Sequence, residues 1–332
     1  MSDKIDFIVE WVNGNDPEWQ KEKAKYIGNE TSKDNTGAQR YRDWDLMRYW
    51  FRGVEKYAPW VNKVYFVTCG QRLDWLNEKC EKLVLIDHKD YMPKEALPTF
   101  NSSAIEVGLH KIPGLSEQFV LFNDDCFPTA PMTPEDFFVD GLPCDYAALD
   151  VLTPSNDFEY LRMNNVYVIN KFFSKSKVLS ENRSKWFSLK DPKSLYRTLA
   201  LRKPWTTFSG FRDYHVPLSF TKQNYETVWA KVPDLMYNTQ MHRFRSKDDV
   251  SSWLVRYWRL CEGKFYVKKP NRFGYTFIEN DDIDGVISQL ENHKKKILCI
   301  NDEYKGTEFE KTKKRLIDSF ERILPEKSSF EI

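Results

Sequence analysis

Apolar residues along this chain come in short runs that end on Asn, Asp and Gly, and these runs alternate with stretches of helical spacing. Residues 5–12 read as a buried strand closing on Asn13-Gly14-Asn15-Asp16-Pro17, residue types that favour turns. Residues 43–57 place Trp44, Met47, Trp50, Phe51 and Val54 on one helical side. Residues 63–68 and 83–86 are further strands, 103–112 a further helix, and 119–122 a strand that runs straight into Asn123-Asp124-Asp125. Strands alternating with helices predict an α/β fold, a mostly parallel sheet flanked by helices with its cleft at the carboxyl ends of the strands.

The second half is less regular. Residues 146–151 suit one more strand, and 156–272, rich in Lys, Arg and aromatics, read as a helical and irregular insertion capping the cleft. That insertion contains an expected helix at 247–261. Residues 297–300, followed by Asn301-Asp302, suggest a late strand returning to the sheet. The tail, 307–324, is an amphipathic helix with Phe309, Leu316, Ile317, Phe320 and Leu324 on one side. Its polar side carries Lys311, Lys313, Lys314 and Arg315, so the helix either packs on the body or docks on an anionic membrane. The expected organisation is a nucleotide-sugar-binding core at 1–155, the cap at 156–284, and a return to the core at 285–332.

Composition narrows the class. The 50 Lys and Arg against 49 Asp and Glu leave no basic excess for a nucleic-acid protein. An aromatic content of 15%, with 11 Trp, fits sugar-stacking surfaces and a thick aromatic core equally. Six cysteines without metal-type spacing point to a reducing compartment. No apolar run approaches a membrane span and no signal-peptide pattern opens the chain, so the expected location is cytoplasmic. Walker A, G-x-G-x-x-G and G-x-S-x-G motifs are absent, which leaves P-loop, dinucleotide and hydrolase readings unsupported.

The chemistry concentrates at strand ends. Asn13 to Asp16, Asn123-Asp124-Asp125 and Asn301-Asp302 share one character, and aligned along a sheet edge they form one oxygen-rich pocket. Oxygen donors suit Mg²⁺ or Mn²⁺ and hence a phosphate-bearing substrate; independent polar turns are the simpler alternative. Ser102 or Ser103 can cap the helix that carries Glu106, and a helix start also binds phosphate. His215 lies in a polar stretch where an imidazole can accept a proton, although a lone histidine is commonly structural. Arg243 and Arg245 can neutralise phosphate oxygens, or else form a solvated basic turn. Asp43-Trp44-Asp45 has the spacing of a glycosyltransferase metal motif, but helix-start carboxylates explain it as well.

Taken together, these residues resemble the Stealth family of sugar-phosphate transferases, which includes bacterial capsular polysaccharide phosphotransferases. Four blocks carry the likeness. They are Ile5 to Asp16; Arg40 to about Phe138, with Arg42-Asp43, Leu97-Pro98-Thr99-Phe100-Asn101-Ser102 and Asn123-Asp124-Asp125; His215 and Pro217 with His242 to Arg245; and Leu298 to Asp302. The resemblance implies a Rossmann-like core of the glycosyltransferase-A (GT-A) type. It also implies transfer of hexose-1-phosphate from a UDP-sugar to a hydroxyl of a glycan or lipid-linked oligosaccharide, with release of UMP. His215, Arg245 and Asp125 would be catalytic. Asn13, Asp16, Arg42, Asn101, Ser102 and Arg243 would bind substrate, and Asp124, Asp125, Asn301 and Asp302 would hold the metal. The first block often has Thr before its Trp; here Glu10 stands there. Two rivals remain at this point: a metal-dependent glycosyltransferase that releases UDP, and a non-catalytic glycan-binding protein.

Overall fold

The computed structural model describes residues 4–27, 42–268 and 273–332. Arg40, where the second resembling block begins, and residues 269–272 of the expected cap lie outside the described residues. Four parallel strands form the centre: β1 (Ile5–Glu10), β2 (Val64–Thr68), β3 (Leu83–Asp87) and β4 (Gln118–Phe122), in the order β3-β2-β1-β4. Helices α1 (Pro17–Tyr26) and α2 (Met47–Tyr57) connect β1 to β2, and the short α3 (Ser102–Glu106) precedes β4. Period-two alternation splits each central strand between two cores. Phe7, Val9, Val120 and Phe122 face one, where Trp50 and Phe51 of α2 cover them. Ile8, Phe119 and Leu121 face the other. This two-sided burial is the pattern of a parallel sheet covered by helices.

The segment expected as a cap also contributes to the sheet. Beyond α4 (Asp157–Phe172) and α5 (Pro192–Leu201), strand β8 (Leu218–Thr221) pairs antiparallel with β4 and extends the sheet to β3-β2-β1-β4-β8. Between β4 and α4 run the short strands β5 (Cys126–Pro128), β6 (Phe138–Val139) and β7 (Leu142–Asp145), the last paired with β9 (Tyr266–Val267). Helices α6 (Lys222–Lys231), α7 (Pro233–Met241) and α8 (Ser252–Glu262) follow β8, and Tyr225, Val228, Met236 and Leu254 from them complete the second core.

Several expectations need correction. The late strand is β11 (Ile297–Asp302), and it does not return to the main sheet. It pairs with β10 (Phe273–Ile278) and β5 in a second sheet, because β5 leaves β4 after only three residues and offers its edge there. Residues 146–151 form no strand of the main sheet; Leu149 makes only an isolated bridge with Phe211. The helix expected over 43–57 starts at Met47, since Asp45 takes a left-handed backbone angle of 56° that no helix continues. The 103–112 helix ends at Glu106, and its N-cap is Asn101, whose side chain accepts from the Ser103 N–H, rather than Ser102 or Ser103. The helix expected over 247–261 begins at Ser252.

The C-terminal helix α9 (Phe309–Ile323) packs on the body. Leu316 and Phe320 are fully buried in the first core. Its cations are engaged: Lys313 with Asp45, Lys311 with Glu308, Lys314 with Asp318 and Arg315 with Asp284. That leaves little uncompensated charge for the docking alternative.

A buried ionic network ties α4 and α8 to the chain leading into β8. Arg256 donates from Nε and Nη2 to Asp145 at 2.9 Å each and from Nη1 to Asp213 at 2.7 Å, while Arg162 reaches Asp213 at 2.9 Å. Arg259 and Tyr257 add further bonds to the same two carboxylates. Removing one member of such a network strands buried charge. Arg256→Ala is expected to cost about 3–5 kcal/mol in urea unfolding; a cost below about 1 kcal/mol contradicts this account of the packing.

Candidate active site

Asp125 is the last residue of the turn that follows β4, and the chain re-enters pairing at once. Its carbonyl accepts from the Ile300 N–H at 2.8 Å, and the next residue, Cys126, lies in register with Cys299 of β11. On the other side, β8 runs antiparallel to β4 with Leu121 opposite Leu218. Continuing that register three residues beyond the last pair sets His215 against Asp124, and the Asp213 network holds the segment in place. The result is a hydrogen bond of 2.8 Å between His215 Nε2 and Asp125 Oδ2. The other oxygen, Oδ1, accepts from both Cys126 and Cys299 Sγ at 3.3 Å.

Electrostatics follow from this geometry. Burial alone pushes the His215 imidazole down, but the hydrogen bond and charge of Asp125, aided by Asp124 and Glu106, outweigh it and raise its pKa above the ordinary histidine value. Burial pushes Asp125 the other way, yet His215 and the two thiols hold it below the usual carboxylate range. Because Nε2 carries the proton toward Asp125, the lone pair on Nδ1 is the one left free to act as a base.

The pair borders a cavity of about 1200 Å³, large enough for a nucleotide sugar together with part of an acceptor. Asp124, exposed to this cavity at the foot of the cleft, has its pKa raised to about 7 by the surrounding protein and by Asp125 and Asp43. Glu10 and Glu106 also line the cavity, and burial pushes both up, Glu10 strongly, with the charges of Glu106 and Asp124 contributing at Glu10. Arg42 and Arg245 supply the cationic counterpart on the cavity wall. Arg42 donates to Asp302 Oδ1 at 3.1 Å, and Arg245 donates to Ser102 Oγ at 2.7 Å.

Two donor sets can be compared for a metal. Asp125, Cys126, His215 and Cys299 bring ligand atoms within 4.8 Å of one another, but two thiols and an imidazole form a soft set whose carboxylate already serves the histidine. Asp124 and Asp43 are the hard set. Among the described residues, no donor from another residue reaches the Asp124 carboxylate, and Asp43, its neighbour in charge, keeps one oxygen on the Asp45 N–H at 2.7 Å. Mutually repelling carboxylates at the foot of a cleft fit Mg²⁺ or Mn²⁺, with the Asn301 amide on the same cavity wall.

The expected residues sort unevenly. His215, Asp125, Arg245, Asp124, Asn301, Asp302, Arg42 and Ser102 line one cavity. Asp302, expected to hold metal, instead has Oδ1 on Arg42 and the Tyr304 N–H and Oδ2 on Trp44 Nε1, so both oxygens serve the chain. Asn13, Asp16, Asn101 and Arg243 are not among the lining residues. Asp16 caps α1 and accepts from Gln71, whose side chain also brackets the Asn13 backbone. Asn101 is fully buried and straps Asp249 and the His242 carbonyl, while Arg243 donates to the carbonyls of Glu95 and Leu97. The first strand end reaches the cavity through Glu10, Trp11 and Val12 instead. Asp43, whose spacing fitted a metal motif or a helix start, lies on the cavity wall, and no sequence signal marked the thiols, which meet only through the β5–β11 register.

A family model described as Stealth protein CR1, conserved region 1, matches residues 3–31, and one described as Stealth protein CR2, conserved region 2, matches residues 40–144. The capsular polysaccharide phosphotransferase WcwK of Streptococcus pneumoniae is 43% identical over 331 residues, covering 99% of this chain and 98% of its own length. The exopolysaccharide phosphotransferase cps2G of Lactiplantibacillus plantarum is 41% identical over 329 residues, covering 98% of this chain and 96% of its own. Among solved structures, the apo WbbM bifunctional glycosyltransferase aligns over 98% of this chain and 50% of its own, with 9% identity and a TM-score of 0.39, too remote to bear on chemistry.

The metal assignment predicts a specific ranking in Mn²⁺ titrations followed by electron paramagnetic resonance. Asp124→Asn and Asp43→Asn each weaken binding by roughly tenfold or more, and Asp302→Asn weakens it less. Affinities unchanged in the first two variants contradict it.

Proposed function

The chain belongs to the Stealth family of polysaccharide phosphotransferases, and from that premise we propose that it transfers hexose-1-phosphate from a UDP-sugar, such as a UDP-N-acetylhexosamine, to a glycan hydroxyl. The product is a phosphodiester link in a capsular or other cell-wall polysaccharide, and the acceptor is a glycan or a lipid-linked oligosaccharide. The observation that carries this reading is the Asp125–His215 pair on the wall of a cavity that is also lined by Asp124, Arg42 and Arg245.

In the proposed reaction the acceptor oxygen attacks the sugar-linked phosphorus. The bond between that phosphorus and the bridging oxygen breaks, and UMP leaves with that oxygen. His215 Nδ1 takes the acceptor proton, while Asp125 stabilises the imidazolium that forms and fixes the ring. Arg245 and Arg42 neutralise phosphate oxygens as charge builds on them, a role in which planar guanidinium groups pair well with phosphate. A divalent cation, when bound at Asp124 and Asp43, supplies charge neutralisation for the diphosphate. The bond between the sugar and its oxygen stays intact, so the anomeric configuration is retained.

Chromatography of the leaving nucleotide across a panel of UDP-sugars tests this reading, with UMP expected; UDP would show attack at the anomeric carbon and refute it. His215→Ala is expected to lower kcat by at least about a hundredfold, and a variant as fast as the parent removes His215 from the mechanism.

A further inference from the structure

Residues 183–205 carry seven Lys and Arg against a single acid, Asp191, in a chain whose net charge is only +1. Asp191 is buried and accepts from the Ser194 hydroxyl. Helix α5 lies inside this segment, and its inward side is defined by buried Ser194 and Thr198. Its outward side and flanks carry large apolar groups in water: Leu189 is 82% exposed, Tyr196 75%, Trp205 45% and Leu199 42%. Arg183, Lys193, Arg202 and Lys203 are exposed beside them and form no ion pair among the described residues. Exposed leucines with an indole, a phenol and unpaired cations are the composition of a surface that inserts at a bilayer interface. The C-terminal helix differs from it on both counts, since its apolar side is buried and its cations are engaged.

The patch also lies next to the cavity mouth. Asp150 accepts from Arg197 of α5 at 2.6 Å and from Arg212, a cavity residue, at 3.2 Å, which makes α5 a neighbour of the cleft. Among the described residues, no helix is long and apolar enough to cross a membrane, so attachment through this face would be peripheral.

We infer that the surface of residues 183–205 seats the protein on an anionic lipid bilayer, with Leu189, Tyr196, Leu199 and Trp205 entering the interface and the four unpaired cations contacting acidic headgroups. The exposed aliphatic groups favour lipid over a soluble polyanion, for which they add nothing. This inference does not depend on the reaction proposed above.

Co-sedimentation of the full chain with phosphatidylcholine vesicles, with and without phosphatidylglycerol, tests it. The parent is expected to bind the acidic vesicles only and to be released by high salt. Leu189→Ser with Trp205→Ser, and separately Arg183, Lys193, Arg202 and Lys203 each changed to Gln, are expected to reduce partitioning by about tenfold or more. Unchanged thermal melting separates lost docking from lost folding. Changing Lys311, Lys314 and Arg315 of the C-terminal helix to Gln is expected to have little effect. Equal binding by the patch variants and the parent overturns the inference, as does binding of soluble polyphosphate without vesicle binding.

Discussion

Asp125 sits where two sheets meet, and both of its carboxylate oxygens are committed. One accepts from His215 at 2.8 Å; the other accepts from two thiols that face each other across the β5–β11 ladder. Its backbone carbonyl joins the same ladder. A buried carboxylate is costly unless hydrogen-bonded, and this arrangement satisfies it by drawing together segments about 90 and 174 residues apart in sequence. Moving any one of β4, β8 or β11 would leave that charge without its partners.

Around this fixed point the cleft is held under electrostatic tension. Burial raises the proton affinity of Asp124, Asp43, Glu10 and Glu106; the charges of Asp125 and Asp43 add to it at Asp124 and those of Glu106 and Asp124 at Glu10, while Arg245 opposes it at the two glutamates. Such a floor is poorly matched to bare water and well matched to a cation carrying a diphosphate. The network around Asp145 and Asp213 has the opposite character. There Arg256, Arg259 and Arg162 balance the acids, so that region serves as a scaffold that fixes the approach of His215.

The sequence made the central strands legible because parallel strands buried on both faces leave uninterrupted apolar runs. It also pointed to Asn123-Asp124-Asp125, because acids at the end of such a run need a reason to be there. His215 was a candidate on chemistry alone; what positions it is the antiparallel register of β8, a pairing that local pattern does not encode. The same limit hid Cys126 and Cys299, which are distant in sequence and unremarkable in spacing. Asn13, Asp16 and Asn101 show the reverse limit: Asn and Asp read alike as ligands or as turn and cap residues, and here they lie off the cavity wall in capping and strapping positions. Asp43 was passed over because two carboxylates ahead of an apolar helix resemble a first turn, while the positive backbone angle at Asp45 delays that helix and leaves Asp43 on the cavity wall.

The central claim is that Asp125 raises the proton affinity of His215 and so sets the acidity at which the base is available. The pH dependence of kcat/KM tests it most directly. A base with a raised pKa is protonated, and therefore inactive, below that value, so the acidic limb of the parent should lie above the ordinary histidine value of about 6.5. In Asp125→Asn the charge is gone while burial remains, so the limb should move to lower pH even as the maximal rate falls. A limb that stays in place in that variant, or moves to higher pH, contradicts the account.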